Sequence, residues 1–148
     1  MKNEQIHILL ADDDSDDRSD FIEAFKSIKM NTNVQTVHNG IDLMKHLNEN
    51  VSPTPHLLFL DLNMPKKSGL ECLKEIRELE QYKNLTIVIY STSSSSTDIE
   101  NTFLYGANVY INKPIQLELL RKALAHVLKI NWQYHTSSLN RDNFLLQL

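Results

Sequence analysis

Five short apolar runs recur along the chain, and each of them has the length of a β-strand. The runs span 6–11, 34–37, 57–60, 86–90 and 109–111. The first, third and fourth are nearly continuous rather than alternating, which is typical of strands that are buried on both faces of a parallel sheet. The pattern therefore predicts five strands in a sheet that other elements cover on both sides.

The segments between these runs carry apolar residues at intervals of three or four, which indicates amphipathic helices. The predicted helices span 15–29, 41–49, 69–80, 97–105 and 116–129. Ser68 and Glu71 have the spacing of a capping box at the start of the third helix. Thr97 and Glu100 have the same spacing at the start of the fourth. The strand–helix alternation predicts an α/β fold, a doubly wound five-stranded parallel sheet of order 2-1-3-4-5.

Length, charge and cysteine content narrow the class of protein. The 148 residues fit one domain, predicted at 1–129, and leave 130–148 as a C-terminal tail without a separate output domain. The formal charge of -4 argues against binding to DNA, which needs a basic surface. The single cysteine, Cys72, excludes an internal disulfide. No apolar run reaches the ~18 residues that span a membrane, so we expect a cytoplasmic protein without a membrane partner.

Chemically active side chains follow the predicted strands. Asp12 and Asp13 come directly after the first strand, and Asp61 comes after the third. Ser91 follows the fourth strand, and Lys113 lies just beyond the fifth. In a sheet of this order, ligands bind beyond the carboxyl ends of the strands, where the winding reverses between strands 1 and 3. The sequence therefore predicts carboxylates, a hydroxyl and an ammonium group at one edge of the sheet.

Carboxylates gathered at one place need a cation. Two unit charges 4 Å apart repel by about 4 kcal/mol at an effective dielectric constant of 20. All-oxygen ligands without paired His or Cys suit Mg²⁺, and the arrangement predicts a Mg²⁺-dependent phosphoryl-transfer site. The neighbouring acids have simpler interpretations. Asp14 is expected to cap the first helix, and Asp16, Asp17 and Asp20 are expected on a solvated helix face.

The segments that carry these residues resemble the receiver domain of two-component response regulators, the flavodoxin-like module of the chemotaxis response regulator. The resemblance covers roughly residues 5–129, and its matching segments are 8–14, 60–71, 89–92 and 106–114. The amino-acid sequences of segments 62–69 and 90–93 also resemble those of stand-alone regulators that serve phytochrome-type histidine kinases. The resemblance implies the same sheet order as the hydrophobic pattern and a sensor histidine kinase as partner.

The resemblance also implies a role for each acid. Asp61 is implied to be the phosphoacceptor, which takes the phosphoryl group as an aspartyl phosphate. Asp13, Asp61 and the backbone carbonyl of Asn63 are implied to bind Mg²⁺ directly. Asp12 is implied to hold a metal-bound water. A nucleophilic carboxylate has to be ionised, and a nearby lysine and a metal ion both favour the ionised form.

Three further residues receive roles from the resemblance. Lys113 is implied to pair with the phosphoryl group, and the Ser91 hydroxyl to hydrogen-bond it. Tyr110 falls at the aromatic switch position. We hypothesise that Ser91 moves toward the phosphate and Tyr110 turns inward behind it. The surface formed by the fourth helix, fifth strand and fifth helix would then change its preference for partners.

The expected function is a single-domain response regulator that accepts a phosphoryl group on Asp61 and switches protein–protein contacts. Such a protein catalyses only its own phosphorylation and dephosphorylation, and its partners are a kinase and an unidentified downstream protein. The tail is expected either to pack on the domain or to form a homodimer.

Two alternatives use the same fold. A phosphate-independent pseudo-receiver would bind partners without chemistry, but the intact set of Asp13, Asp61, Ser91 and Lys113 argues against it. A Mg²⁺-dependent phosphatase would need a second carboxylate soon after the nucleophile. The residue two positions after Asp61 is Asn63, which disfavours that class.

Overall fold

The computed structural model describes residues 5–49, 53–134 and 144–146, with the side chains of 130–134 left out of the description. Its strands are β1 (Ile6–Ala11), β2 (Thr32–Val37), β3 (Leu57–Leu60), β4 (Thr86–Ser91) and β5 (Val109–Asn112). Its helices are α1 (Ser15–Lys26), α2 (Gly40–Asn48), α3 (Gly69–Glu78), α4 (Ser96–Leu104) and α5 (Leu117–Tyr134), with a 3-10 helix at Glu80–Tyr82. The alternation of strand and helix predicted from the sequence is confirmed.

The five strands form one parallel sheet in the order β2-β1-β3-β4-β5, as predicted. Strands β3 and β4 are buried along their whole length, and β2 at the edge is only partly covered. This difference explains why β2 gave the weakest hydrophobic signal. Ala11 pairs with Leu60, and Ser91 pairs with Asn112, so the carboxyl ends of neighbouring strands lie side by side.

Two apolar layers cover the sheet. Helices α2 and α3, the 3-10 helix and α4 pack on one face, and α1 and α5 pack on the other. Successive residues of β3 alternate between the layers: Leu58 faces the first and Phe59 the second. Each fully buried Leu, Ile or Phe contributes roughly 1.5–3 kcal/mol relative to its exposed form. The two layers fix the sheet, and the sheet in turn fixes the positions of the strand ends.

Helix ends show where the local pattern was ambiguous. The capping box of Ser68 and Glu71 is confirmed, with both reciprocal hydrogen bonds present. The box predicted for Thr97 and Glu100 is wrong, because Ser95 caps α4 and accepts a hydrogen bond from the Asp98 N–H. The fifth helix ends at Tyr134 rather than at 129. No helix within the described ranges is long and apolar enough to cross a membrane.

Part of the C-terminal tail returns to the edge of the sheet. Leu145 forms a parallel bridge with Tyr110, and the Leu146 N–H donates to the Tyr110 carbonyl oxygen at 2.9 Å. The Phe144 ring is buried against Phe103 and Tyr110, with centroid distances of 5.3 and 6.1 Å. These three tail residues therefore pack on the domain. The homodimer and the domain boundary at 129 stay predictions, and 135–143 lie outside the described residues.

Candidate functional site

Sheet hydrogen bonds continue one residue past the strand ends and hold the backbone of the site. The Asp12 N–H donates to the last residue of β2 at 3.1 Å. The Asp61 N–H donates to the last residue of β1 at 3.0 Å, and the Lys113 N–H donates to the last residue of β4 at 2.8 Å. The parallel register therefore aims the three side chains into the same space.

The three acids converge as the sequence predicted. One carboxylate oxygen from each of Asp12, Asp13 and Asp61 lies within 4.8 Å of the others. Asp12 is fully buried, Asp61 is 5% exposed, and Asp13 is exposed to solvent. This all-oxygen donor set, open on one side, fits a hard divalent cation.

The ammonium group of Lys113 lies among three carboxylates. Its Nζ is 2.8 Å from Asp12 Oδ2, 2.8 Å from Asp17 Oδ2 and 3.3 Å from Asp61 Oδ2. The lysine side chain is only 8% exposed, and its Nζ lies 5.2 Å from the centre of the Tyr90 ring. Lys113 donates hydrogen bonds to Asp17 and Asp61, and its contact with Asp12 is an ion pair. Lys113 thus offsets part of the negative charge at the strand ends.

Asp17 is the site residue that sequence reasoning missed. It was expected on a solvated helix face with Asp16 and Asp20, which are indeed exposed. The Asp17 side chain is instead 35% exposed and bonded to Lys113. Helical side chains lean toward the N-terminus of their helix, so a first-turn residue can reach back over the strand ends. That geometry is the signal that could have identified it.

The cap predicted for the first helix is confirmed. The Asp14 side chain accepts hydrogen bonds from the backbone N–H groups of Asp16 and Asp17 at 2.8 and 3.0 Å. The Asp14 N–H donates to Asp12 Oδ1 at 3.0 Å. The cap fixes the first turn of α1 and so fixes the position from which Asp17 reaches the lysine.

Burial and the neighbouring opposite charges shift the pKa values of Asp61 and Lys113 in opposite directions. Burial raises the pKa of Asp61 to about 6, with Lys113 opposing the shift and Asp12 adding to it. Burial alone would lower the pKa of Lys113, but hydrogen bonds to Asp12 and Asp17 and the charge of Asp61 raise it above its usual value. Lys113 is therefore a fixed positive charge, while Asp61 holds its negative charge at a cost.

Ser91 and Tyr110 are linked through Ser93, because both side chains hydrogen-bond to its backbone. Ser91 is fully buried at the end of β4, and its Oγ accepts from the Ser93 N–H at 3.1 Å. Tyr110 is fully buried too, and its hydroxyl donates to the Ser93 carbonyl oxygen at 2.8 Å. The tyrosine ring points inward in this structure, so the inward position is observed and the turning motion stays a prediction.

The loop after β3 returns close to Asp61. The Asn63 N–H donates to Asp61 Oδ1 at 3.3 Å, which places the loop backbone beside the carboxylate. Lys66 has a positive φ of 71°, which turns the chain back toward α3. At Gly69 a Cβ atom would lie 2.1 Å from the Asp61 carbonyl oxygen. Only glycine permits this close approach of two backbones.

We therefore expect Gly69→Ala to displace the backbone that carries Asp61. Forcing a methyl group into a packed region costs about 1–3 kcal/mol of unfolding free energy, which chemical denaturation would measure. Backbone amide signals of 61–63 should shift in the same variant. Gly106→Ala is the control: its positive φ of 99° makes it strained as well, but it lies beside Arg77 and should leave those signals unchanged. Unchanged signals in Gly69→Ala would contradict the prediction.

Comparisons with known proteins agree with this geometry. Residues 8–125 match the family model of the response regulator receiver domain. Response regulator Rcp1 of Synechocystis sp. is 31% identical over 119 residues, which are 78% of this chain and 81% of Rcp1.

Two solved structures share the fold along most of the chain. The phosphorylated cyanobacterial phytochrome response regulator RcpA has a TM-score of 0.80 and 30% identity, over 92% of this chain and 99% of RcpA. The Mn²⁺-bound form of Rcp1 has a TM-score of 0.75 and 28% identity, over 91% of this chain and 97% of Rcp1. The family match over residues 8–125 contains Asp12, Asp13, Asp61, Ser91 and Lys113.

Proposed function

The chain belongs to the response regulator receiver family, and we propose that it takes a phosphoryl group from a sensor histidine kinase onto Asp61 in a Mg²⁺-dependent reaction. The observation that carries this proposal is the position of Asp61. Its carboxylate lies at the end of β3 among the acids of β1, and Lys113 Nζ is 3.3 Å away.

The transfer step balances without a further reactant. An Asp61 carboxylate oxygen forms a bond to phosphorus while the bond from phosphorus to the kinase histidine breaks. The electron pair of that bond stays on the imidazole nitrogen, which takes up a proton. The attacking carboxylate has to be ionised, and its burial opposes ionisation while Lys113 favours it.

The donor set supports Mg²⁺ as the metal. Asp13, Asp61 and the Asn63 carbonyl would hold it directly. Asp12 is better suited to an indirect role, because its Oδ1 accepts from a backbone N–H and its Oδ2 lies beside Lys113. When bound, Mg²⁺ would neutralise charge on the phosphoryl oxygens. Rcp1, which is similar over most of its length, has been crystallised in an Mn²⁺-bound form.

Ser91 and Lys113 would be the protein's own donors to the phosphoryl group. A hydrogen bond to a charged group contributes about 1.5–3 kcal/mol, and reversing a 1:99 equilibrium needs about 5.5 kcal/mol. Two such bonds therefore have the right size to switch the protein. A movement of Ser91 would reach Tyr110 through Ser93, which both residues contact. The surface of α4, β5 and α5 would transmit the change to a partner.

Ser91→Ala should separate phosphorylation from switching. The variant keeps the acids and Lys113, so we expect Asp61 still to be modified, but at a rate at least about tenfold lower, because a hydrogen bond to a charged group contributes about 1.5–3 kcal/mol. Beryllofluoride should then shift the NMR signals of Tyr110 much less than in wild type. Ser94→Ala removes an exposed hydroxyl from the same loop and serves as control. Wild-type shifts at Tyr110 in Ser91→Ala would reject this mechanism.

One experiment tests the proposed function as a whole. The protein is incubated with acetyl phosphate, with Mg²⁺ or with a chelator, and its intact mass is followed. We expect a single phosphoryl adduct that needs the metal. A complete lack of adduct would favour the pseudo-receiver. Continuous turnover of small phosphate esters would favour the phosphatase and contradict a protein that catalyses only its own phosphorylation and dephosphorylation.

The narrower proposal concerns the kinase. The similarity to Rcp1 and to the phytochrome response regulator RcpA supports a phytochrome-type donor. Transfer of labelled phosphate from such a kinase, compared with a kinase that has no photosensory domain, would test it. Equal transfer from both would remove the support for this choice of partner.

A further inference from the structure

Asp17 competes for the lysine that the reaction needs. Lys113 Nζ lies 2.8 Å from Asp17 Oδ2 but 3.3 Å from Asp61 Oδ2. The lysine is thus held more closely by a helix residue outside the acidic cluster than by the proposed phosphoacceptor. Asp17 and Lys113 are 96 positions apart in the sequence, so the contact is a product of the fold.

Three carboxylates already surround the ammonium group, because Lys113 donates hydrogen bonds to Asp17 and Asp61 and forms an ion pair with Asp12. A phosphoryl oxygen that approaches Lys113 therefore competes with these three carboxylates, and the contact of at least one of them with the ammonium group has to weaken. Asp12 is fully buried, and its separation from the lysine would leave an uncompensated charge inside the protein. The Asp17 side chain is 35% exposed and can turn into water. Asp17 is consequently the partner that is released at the lowest cost.

We propose that Asp17 is a positioning residue that holds the Lys113 ammonium toward α1 and thereby restrains phosphorylation of Asp61. This inference rests on the proposed function, since it assigns a role within the same reaction. The pairing with Asp17 has to weaken whenever Lys113 turns to a phosphoryl oxygen. Removing the Asp17 charge should therefore favour the modified protein and speed its formation.

A neighbour of Asp17 offers a matched control. Asp16 lies in the same first turn of α1, its backbone N–H also donates to Asp14, and its side chain is exposed. Asp16→Asn and Asp17→Asn remove the same charge from the same helix end, so they share any effect on the helix dipole and on attraction of an anionic donor. Only Asp17→Asn removes a partner of Lys113.

The test measures the rate of adduct formation with subsaturating acetyl phosphate and Mg²⁺ in wild type, Asp17→Asn, Asp16→Asn and Asp17→Glu. An exposed ion pair changes an equilibrium by up to about fivefold; because Lys113 is buried, we expect Asp17→Asn to react roughly three- to tenfold faster than wild type. Asp16→Asn should stay within about twofold of wild type. Asp17→Glu keeps the carboxylate and should restore the slow rate.

A second measurement reports the contact without any phosphorylation. In metal-free protein, the ammonium protons of Lys113 should exchange with water faster in Asp17→Asn, because one acceptor has been lost. They should exchange as in wild type in Asp16→Asn. A merely structural role for Asp17 would not change this signal and would not be rescued by Asp17→Glu.

Failure of the restraining role of Asp17 and failure of the proposed phosphorylation of Asp61 would give different results. If wild type forms no adduct, the proposed function fails and this inference falls with it. If wild type is modified and Asp17→Asn reacts at the same rate or more slowly, only the restraining role of Asp17 is rejected. A faster rate shared equally by Asp16→Asn would also reject it, since the effect would then belong to charge at the helix end.

Discussion

Asp61→Asn is expected to abolish the phosphoryl adduct and, at neutral pH, to stabilise the metal-free protein. The loss of the adduct follows because an amide does not replace the carboxylate as a nucleophile. Intact mass after incubation with acetyl phosphate and Mg²⁺ would show it. Asp20→Asn, which changes an exposed acid of α1, should form the adduct as wild type does. An adduct on Asp61→Asn would place the phosphoacceptor elsewhere.

The gain in stability follows from the raised pKa of Asp61. Burial raises this pKa from 3.8 to about 6, so folding disfavours the ionised carboxylate. Between these two values the unfolded chain binds fewer protons than the folded protein, and the free energy of unfolding falls as the pH rises. Above the folded pKa the whole penalty is present, about 3 kcal/mol for a shift of roughly two units.

Asp61→Asn removes this penalty but also removes one partner of Lys113. The net gain should therefore be on the order of 2 kcal/mol at neutral pH. It should disappear as the pH falls below the unfolded pKa of 3.8, where the wild-type carboxyl becomes protonated in both states. Chemical denaturation in the presence of a chelator would measure it. A variant that is no more stable than wild type at neutral pH would contradict the unfavourable burial of the ionised Asp61 carboxylate.

The sequence predicted the sheet well because burial on both faces leaves a continuous apolar signal. The polar residues that follow Ala11 and Leu60 stood out against these runs, and a parallel sheet places successive carboxyl ends at one edge. Position 61 and its acidic neighbours could therefore be identified before the structure. The family resemblance then supplied roles that the pattern alone does not give.

Other features depend on geometry that the local sequence does not record. The contact of Asp17 with Lys113 requires the rotation of α1 against the end of β5, which no periodicity reports. Ser95 and Thr97 are each followed three residues later by an acid, so spacing alone does not choose the cap of α4. The bridge from Leu145 to β5 uses backbone groups at a sheet edge and leaves no side-chain pattern.

Lys113→Ala should have the largest effect on stability among these substitutions. Breaking a buried ion pair by removing one partner costs about 3–5 kcal/mol, because the other charge is left without compensation. Here Asp12 is fully buried and Asp61 lies within the same cluster, so two buried carboxylates would face each other without the ammonium. We expect the metal-free variant to lose at least about 3 kcal/mol of unfolding free energy. Adduct formation should also fall far below wild type.

Two comparisons make the cause of this loss identifiable. Lys67→Ala removes a lysine whose partner Glu75 is 39% exposed, and it should cost no more than about 1 kcal/mol. Asp12→Asn added to Lys113→Ala should recover stability, because it neutralises the buried carboxylate that lost its partner. Mg²⁺ should likewise stabilise Lys113→Ala more than wild type, since binding to the folded form offsets the same repulsion. If neither Asp12→Asn nor Mg²⁺ recovers stability, the loss arises from packing of the lysine stem rather than from the charges gathered at the strand ends.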